Sequence, residues 1–329
     1  MHRPDVPAAL PAAVPAVEEI AVADEEAGPY GITAGPDGAL WLTLVHSGRI
    51  ARLTLDGQLH EYELDSPACG PTVITPGPDG ALWFTRYQDH RIGRITVRGE
   101  ATSFPVPTPD SGPYGITAGP DGALWFTQLN TGRIGRVTTT GEFTEFALPV
   151  EGGFPSMITT GPDGALWFTL NQANAIGRIT TDGDIYLHPL PTPDAAPVGI
   201  TSDGVALWFV EIAAGRIGRI TVDGGIEEFP LPDRTARPHA ITATPTGDLW
   251  FTDWGANRVG RIAATGEITE YDLPSPSSEP HGIAYGPYSP EGSEGPDGPE
   301  GPHGAVWAAL ETGGVARVTL PSHPARGGR

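Results

Sequence analysis

Gly119-Pro120-Asp121-Gly122-Ala123-Leu124-Trp125-Phe126-Thr127 runs on into Arg133-Ile134-Gly135-Arg136-Val137-Thr138 and then Glu142-Phe143-Thr144-Glu145-Phe146-Ala147-Leu148. The Pro-Asp-Gly step is a tight turn, and the residues after it are aromatic and β-branched, the composition of a strand. Further turns at Asn130-Thr131-Gly132 and Thr139-Thr140-Gly141 separate two more strands, and Pro113 to Ala118 reads as one before the first turn. The same pattern surrounds Trp41, Trp83, Trp125, Trp167, Trp208, Trp250 and Trp307, at gaps of 42, 42, 42, 41, 42 and 57 residues. Four short strands fill such a period, no segment sustains a helical period, and a fixed period of this length marks a repeat architecture. A four-stranded meander cannot bury both of its faces alone, and radial stacking covers them. The expectation is all-β: a seven-bladed β-propeller of four-stranded antiparallel blades.

The last repeat lacks an obvious fourth strand, whereas residues 17–23 read as one before the first repeat. That segment is expected to complete blade seven and close the ring. The propeller then spans 17–320, with 1–16 a flexible N-terminal arm and 321–329 a C-terminal tail. The long last gap holds an acidic Pro/Gly-rich insertion at about 286–304, expected as a mobile loop. It joins the first strand of blade seven (His281 to Tyr285) to the Trp307 strand.

Composition narrows the function classes. A formal charge of -21 repels phosphate backbones, which argues against nucleic acid as a partner. The 45 Gly and 36 Pro fall periodically and serve turns. The single cysteine, Cys69, excludes a disulfide framework within the chain and suits a reducing compartment. The Ala-rich start is broken by Pro7, Pro11 and Pro15, unlike a secretory signal, and no run approaches the roughly 20 apolar residues of a membrane span. A cytoplasmic monomer without membrane contact is expected.

Function is sought where one repeat departs from its sisters. A proline opens the first strand of each repeat. It is followed by Tyr30, Thr72, Tyr114, Ser156, Val198, His239 and His281, and preceded by Gly28, Gly70, Gly112, Phe154, Ala196, Arg237 and Glu279. Both sets should ring one mouth of the central channel. Four residues after the tryptophans stand Val45, Tyr87, Leu129, Asn171, Ile212, Trp254 and Glu311. Because strand two returns to the mouth that strand one leaves, Glu279, His281 and Glu311 should converge there, while the insertion hangs from the opposite face. A residue before proline is held extended and residues i and i+2 of extended chain face one way, so Glu279 and His281 should share a side. Two carboxylates favour a hard cation, Mg²⁺ before Zn²⁺, and a neutral histidine can take a proton. The bland alternative is a Glu/His pairing at a solvated rim. Glu211 and Asp253 are expected to add negative charge nearby, Asp253 equally as a surface residue. Asp79, Asp121 and Asp163 read as turn residues, and the Gly-Arg-Ile-Gly-Arg arginines as turn caps or blade bridges. No Gly-x-Ser-x-Gly elbow, P-loop or zinc spacing is present.

Ala236-Arg237-Pro238-His239-Ala240-Ile241-Thr242, Trp254-Gly255-Ala256-Asn257 and Glu279-Pro280-His281-Gly282-Ile283 followed by Glu311 resemble the streptogramin B lyase (virginiamycin B lyase) family, over roughly residues 17 to 320. The resemblance implies Glu279 and Glu311 as ligands of Mg²⁺, His281 as general base, and His239, Tyr30 and Trp254 as substrate contacts. It implies elimination at the threonyl ester of a cyclic depsipeptide antibiotic. Ala308-Ala309-Leu310 departs from the bulkier residues the family tends to have there. A metal-dependent lactone hydrolase and a non-catalytic interaction propeller remain the alternatives.

Overall fold

The computed structural model describes residues 15–288 and 303–319. It contains seven four-stranded antiparallel sheets. Six are consecutive meanders, such as Pro113–Ala118, Leu124–Gln128, Arg133–Val137 and Phe143–Ala147. The seventh uses Pro280–Tyr288, His303–Leu310 and Gly314–Thr319, and its outer strand is Ala16–Ala21 from the chain start, paired from Ala16↔Thr319 to Ala21↔Gly314. The expected ring closure is therefore present. Glu19 of the closing strand also accepts hydrogen bonds from Ser275 N (3.2 Å) and Ser278 Oγ (3.0 Å), in the turn that leads into Glu279. The first strands of neighbouring blades pack against one another around the axis. In blade seven the first two strands run to Tyr288 and from His303, further into the insertion than expected. Its central part, 289–302, lies outside the described residues, as do most of the arm (1–14) and the tail (320–329).

The repeated motif has a packing reason at each position. The seven blade tryptophans are at most 4% exposed. In blades two to six a phenylalanine follows the tryptophan and lies over a glycine of the next strand, where a Cβ at Gly135 would come within 2.1 Å of Phe126. Blade seven has Ala308 opposite Ala316, so that pair trades ring for methyl and still fills the space. The departure at Ala308 thus leaves the strand in register up to Leu310↔Pro280.

The turn aspartates and the arginines form a latch within a blade and do not bridge blades. Trp125 Nε1 donates to Asp121 Oδ1 (3.0 Å) and Arg136 Nε to Asp121 Oδ2 (2.6 Å), and the same pairs recur at Asp37, Asp79 and Asp163. Burial pushes the Asp121 carboxyl up, but these two hydrogen bonds outweigh it and hold it below the usual range. In five blades a threonine two residues after the tryptophan ties the blade to the next. Thr43, Thr85, Thr127, Thr169 and Thr252 are fully buried. Each donates to a carbonyl of the following blade's first strand, at 2.6 to 2.8 Å. The last of these carbonyls is that of His281.

Candidate functional site

In all seven blades the N–H of the fourth residue after the tryptophan donates to the carbonyl before the strand-opening proline; Trp254→Arg237 and Glu311→Glu279 (both 3.1 Å) are the last two. The two rings of residues read from the sequence therefore meet at one mouth, and Glu279 and Glu311 are backbone neighbours there.

The conformation before the proline differs from expectation. Glu279 has φ 51°, and Gly28, Gly70, Gly112, Phe154 and Ala196 are left-handed too. The left-handed turn thus overrides the preference of a pre-proline residue for extended backbone in six blades, whereas Arg237 of blade six, whose carbonyl accepts the same hydrogen bond, does not adopt it. The shared side expected for Glu279 and His281 loses its basis: Glu279 is exposed, whereas His281 is buried.

Blade six fixes the His281 backbone through Thr252, and blade one covers its ring. Gly282 makes the second contact possible, because a Cβ there would lie 2.5 Å from Tyr30 O. The Tyr30 ring stacks on His281 with centroids 4.6 Å apart and 29° between planes. His239 meets His281 edge to face at 4.8 Å, and the Trp254 ring lies 6.5 Å away. His239, Tyr30, Trp254 and His281 are thus brought together. Burial, then the neighbouring His281, pushes the His239 imidazole down to about 3, so it is neutral. Tyr30 and Tyr114 share a hydrogen bond of 2.6 Å across the mouth, and burial raises both phenols.

Glu311 is held from both sides. Its Oε2 is hydrogen-bonded to His281 Nε2 and its Oε1 to His46 Nε2 (2.7 Å). The His281 hydrogen bond pulls the carboxyl down to about 2 against its burial, with His46 adding to the effect. An ionised carboxylate only accepts, so each Nε2 carries a hydrogen. His281 Nδ1 is buried and has no hydrogen-bond partner among the described residues.

His46 escaped the sequence reading, which compared the fourth residue after each tryptophan and not the fifth. The fifth residues are His46, Gln88, Asn130, Gln172, Ala213, Gly255 and Thr312, and His46 alone among them is titratable. Glu211 and Asp253 were misjudged. Both are fully buried. Asp253 Oδ1 caps Arg237 N (2.8 Å), and burial raises its carboxyl. Burial and the adjacent Glu228 carboxylate push Glu211 up to about 8, so it carries a proton and adds no negative charge at neutral pH.

No group of three or more His, Cys, Asp or Glu gathers into a metal cage among the described residues. Mg²⁺ needs no such cage, since it keeps several waters and takes one or two carboxylates. Neighbouring Glu279 and Glu311, one exposed and one with lone pairs beyond its imidazole contacts, fit that demand. Below the mouth the channel narrows to a mostly apolar cavity of about 80 Å³, lined by Ile74, Met157, Ile200 and Ile283 among others.

The fold and its one polarised mouth define a closed seven-bladed propeller with a site built from blades one, six and seven. The model of the Virginiamycin B lyase family matches residues 15–318. A solved streptogramin B lyase is 44% identical over 93% of this chain and 98% of its own, with a TM-score of 0.85. A catalytically inactive virginiamycin B lyase from Staphylococcus aureus, solved with quinupristin, is likewise 44% identical, over 93% of this chain and all of its own, with a TM-score of 0.85. The virginiamycin B lyase of Saccharopolyspora erythraea is 60% identical over 50 residues, which span 15% of this chain and only 17% of that relative. The chain belongs to the virginiamycin B lyase family.

Proposed function

We propose that the protein is a carbon–oxygen lyase that opens cyclic depsipeptides of the streptogramin B type by elimination, and so confers resistance to them. The observation that carries this reading is His281 at the mouth, its ring fixed by Glu311 and Tyr30. A channel cavity of about 80 Å³ is too small for a macrocycle, so the substrate lies across the mouth, against the half-exposed Trp254 (41%).

In this reaction His281 takes the threonyl Cα proton, the Cβ–O bond of the ester breaks, and the carboxylate leaves. The product is a linear peptide of unchanged mass ending in a dehydrated threonine. A positioned base contributes about 10²- to 10⁴-fold. Neutral His239 donates to the substrate, and Tyr30 holds the His281 ring from its open face. Glu279 and Glu311 would hold Mg²⁺, which would supply Lewis-acid polarisation of the carbonyl next to the acidic proton. The protein works as a monomer.

Mass spectrometry of a streptogramin B antibiotic after incubation with the protein and Mg²⁺ tests the reading. Unchanged mass with altered retention and new ultraviolet absorbance is expected, and His281→Ala should lose nearly all turnover while staying folded. A gain of one water would make the protein a hydrolase on this scaffold, and no reaction would refute the activity.

A further inference from the structure

Blade one reaches across the ring junction to the blade-seven carboxylate. We infer that His46 is a positioning residue of this site, holding Glu311 and, through it, the ring of His281. The site in question is that of the proposed lyase.

Three observations carry this. The His46 Nε2–Glu311 Oε1 hydrogen bond (2.7 Å) joins residues 265 apart in sequence, on the two blades where the ring closes. With the other oxygen bound to His281 Nε2, Glu311 is clamped between two imidazoles and cannot rotate without losing one of them. The third observation is the room made for His46. A Cβ on Gly28 would lie 2.4 Å from His46 Cδ2, and Gly28 sits at φ 67°, so the imidazole occupies space left by a missing side chain.

Three other blades share this packing, which has a particular outcome in blade one. The residue before the proline and the fifth residue after the tryptophan compete for one volume. Gln88 lies over Gly70 and Asn130 over Gly112, whereas in blade six the long residue is Arg237 and its partner is Gly255. In blades one, two, three and six one residue of the pair is glycine and the other lies over it, whereas blade four pairs Phe154 with Gln172 and blade five Ala196 with Ala213. In blade one the overlying side chain is an imidazole, and its hydrogen-bond partner is a carboxylate that itself holds a second imidazole. A residue that orients a working group through one hydrogen bond typically changes activity or metal affinity by about 10- to 100-fold when removed.

The test compares wild type with His46→Ala and His46→Gln, the latter keeping an N–H donor. Long-range ¹H–¹⁵N spectra of the metal-free protein are read at the His281 ring, assigned against His281→Ala, and kcat and KM are measured with a streptogramin B antibiotic. His46→Ala should shift the His281 nitrogens and lower kcat by about 10- to 100-fold, with KM within about twofold. His46→Gln should restore the spectrum and most of kcat. Unmoved His281 nitrogens in His46→Ala would overturn the inference, as would a loss of kcat that Gln does not rescue. If wild type turns over no such antibiotic, the lyase reading falls, and the His281 spectra alone decide the role of His46.

Discussion

Glu211→Gln isolates a carboxyl that the fold buries in its neutral form. Glu211 is fully buried, and neither of its oxygens has a hydrogen bond of good geometry. Beside it stands Glu228, tied by Thr192 N (3.1 Å), Thr192 Oγ (2.6 Å) and Arg216 (3.1 Å). Burial, and then Glu228, raise Glu211 from 4.5 to about 8, with Arg216 opposing. The native state therefore holds a proton that the unfolded chain releases from about pH 4.5 upward. The stabilisation is fully present below the unfolded value and is lost as pH rises through the native one. Between pH 5 and pH 9 the linkage amounts to about 4 kcal/mol, an upper figure because water entering on ionisation relaxes the site. Glutamine cannot ionise, and blade three already uses this arrangement, with Gln128 Nε2 donating to Glu145 Oε1 (2.5 Å) at the equivalent positions. Urea unfolding of both proteins across this pH range should give near-equal stability at pH 5 and a growing advantage for Glu211→Gln toward pH 9. Parallel profiles would refute the buried, protonated Glu211.

Other perturbations test the latches and the metal. Asp121→Ala leaves the buried Trp125 Nε1 without an acceptor and should cost about 1–3 kcal/mol in denaturant unfolding; a change below about 0.5 kcal/mol would mean that the latch is idle. Glu19→Ala removes the acceptor of Ser275 N and leaves Ser278 Oγ to Ser275 O alone, and should cost about 0.5–1.5 kcal/mol by the same assay. EDTA should abolish turnover and Mg²⁺ restore it, while an enzyme indifferent to chelation would remove the metal from the proposal. Glu279→Gln should weaken Mg²⁺ binding measured by calorimetry, with the thermal midpoint unchanged because Glu279 is exposed.

Tertiary structure was legible wherever a repeat supplied its own comparison. Seven tryptophans gave seven blades, the missing last strand pointed to the closing strand, and the meander's return placed Glu311 beside Glu279. What stayed hidden depended on facts a one-dimensional pattern does not carry. The reversal at Glu279 runs against the local preference of a pre-proline residue, and nothing in the Glu-Pro-His stretch itself announces it. The burial of Glu211 and Asp253 depends on blade-to-blade packing, so acidic residues that read as surface charge became neutral or capping groups. His46 was within reach of the same comparison, one column further along.

Two of the three blades that build the site, six and seven, give up fastenings of the scaffold, whereas blade one keeps its own. Among the described residues the indole N–H groups of Trp250 and Trp307 have no acceptor, unlike those latched in blades one to four. Blade seven also has Ala309 where most blades have the tying threonine. These losses fall where Arg237, His239, Glu279, His281 and Glu311 replace the repeat's neutral residues. Functional sites commonly carry such local costs, offset elsewhere in the fold. Here the offset sits next to the site. The closing strand completes blade seven, and its Glu19 pins the turn at Ser278, one residue before Glu279. His46 crosses the same junction at the mouth. The seam that closes the ring is thus also the frame that holds the histidine–carboxylate cluster. Loosening that seam should therefore disturb the His281 ring before it unfolds the propeller.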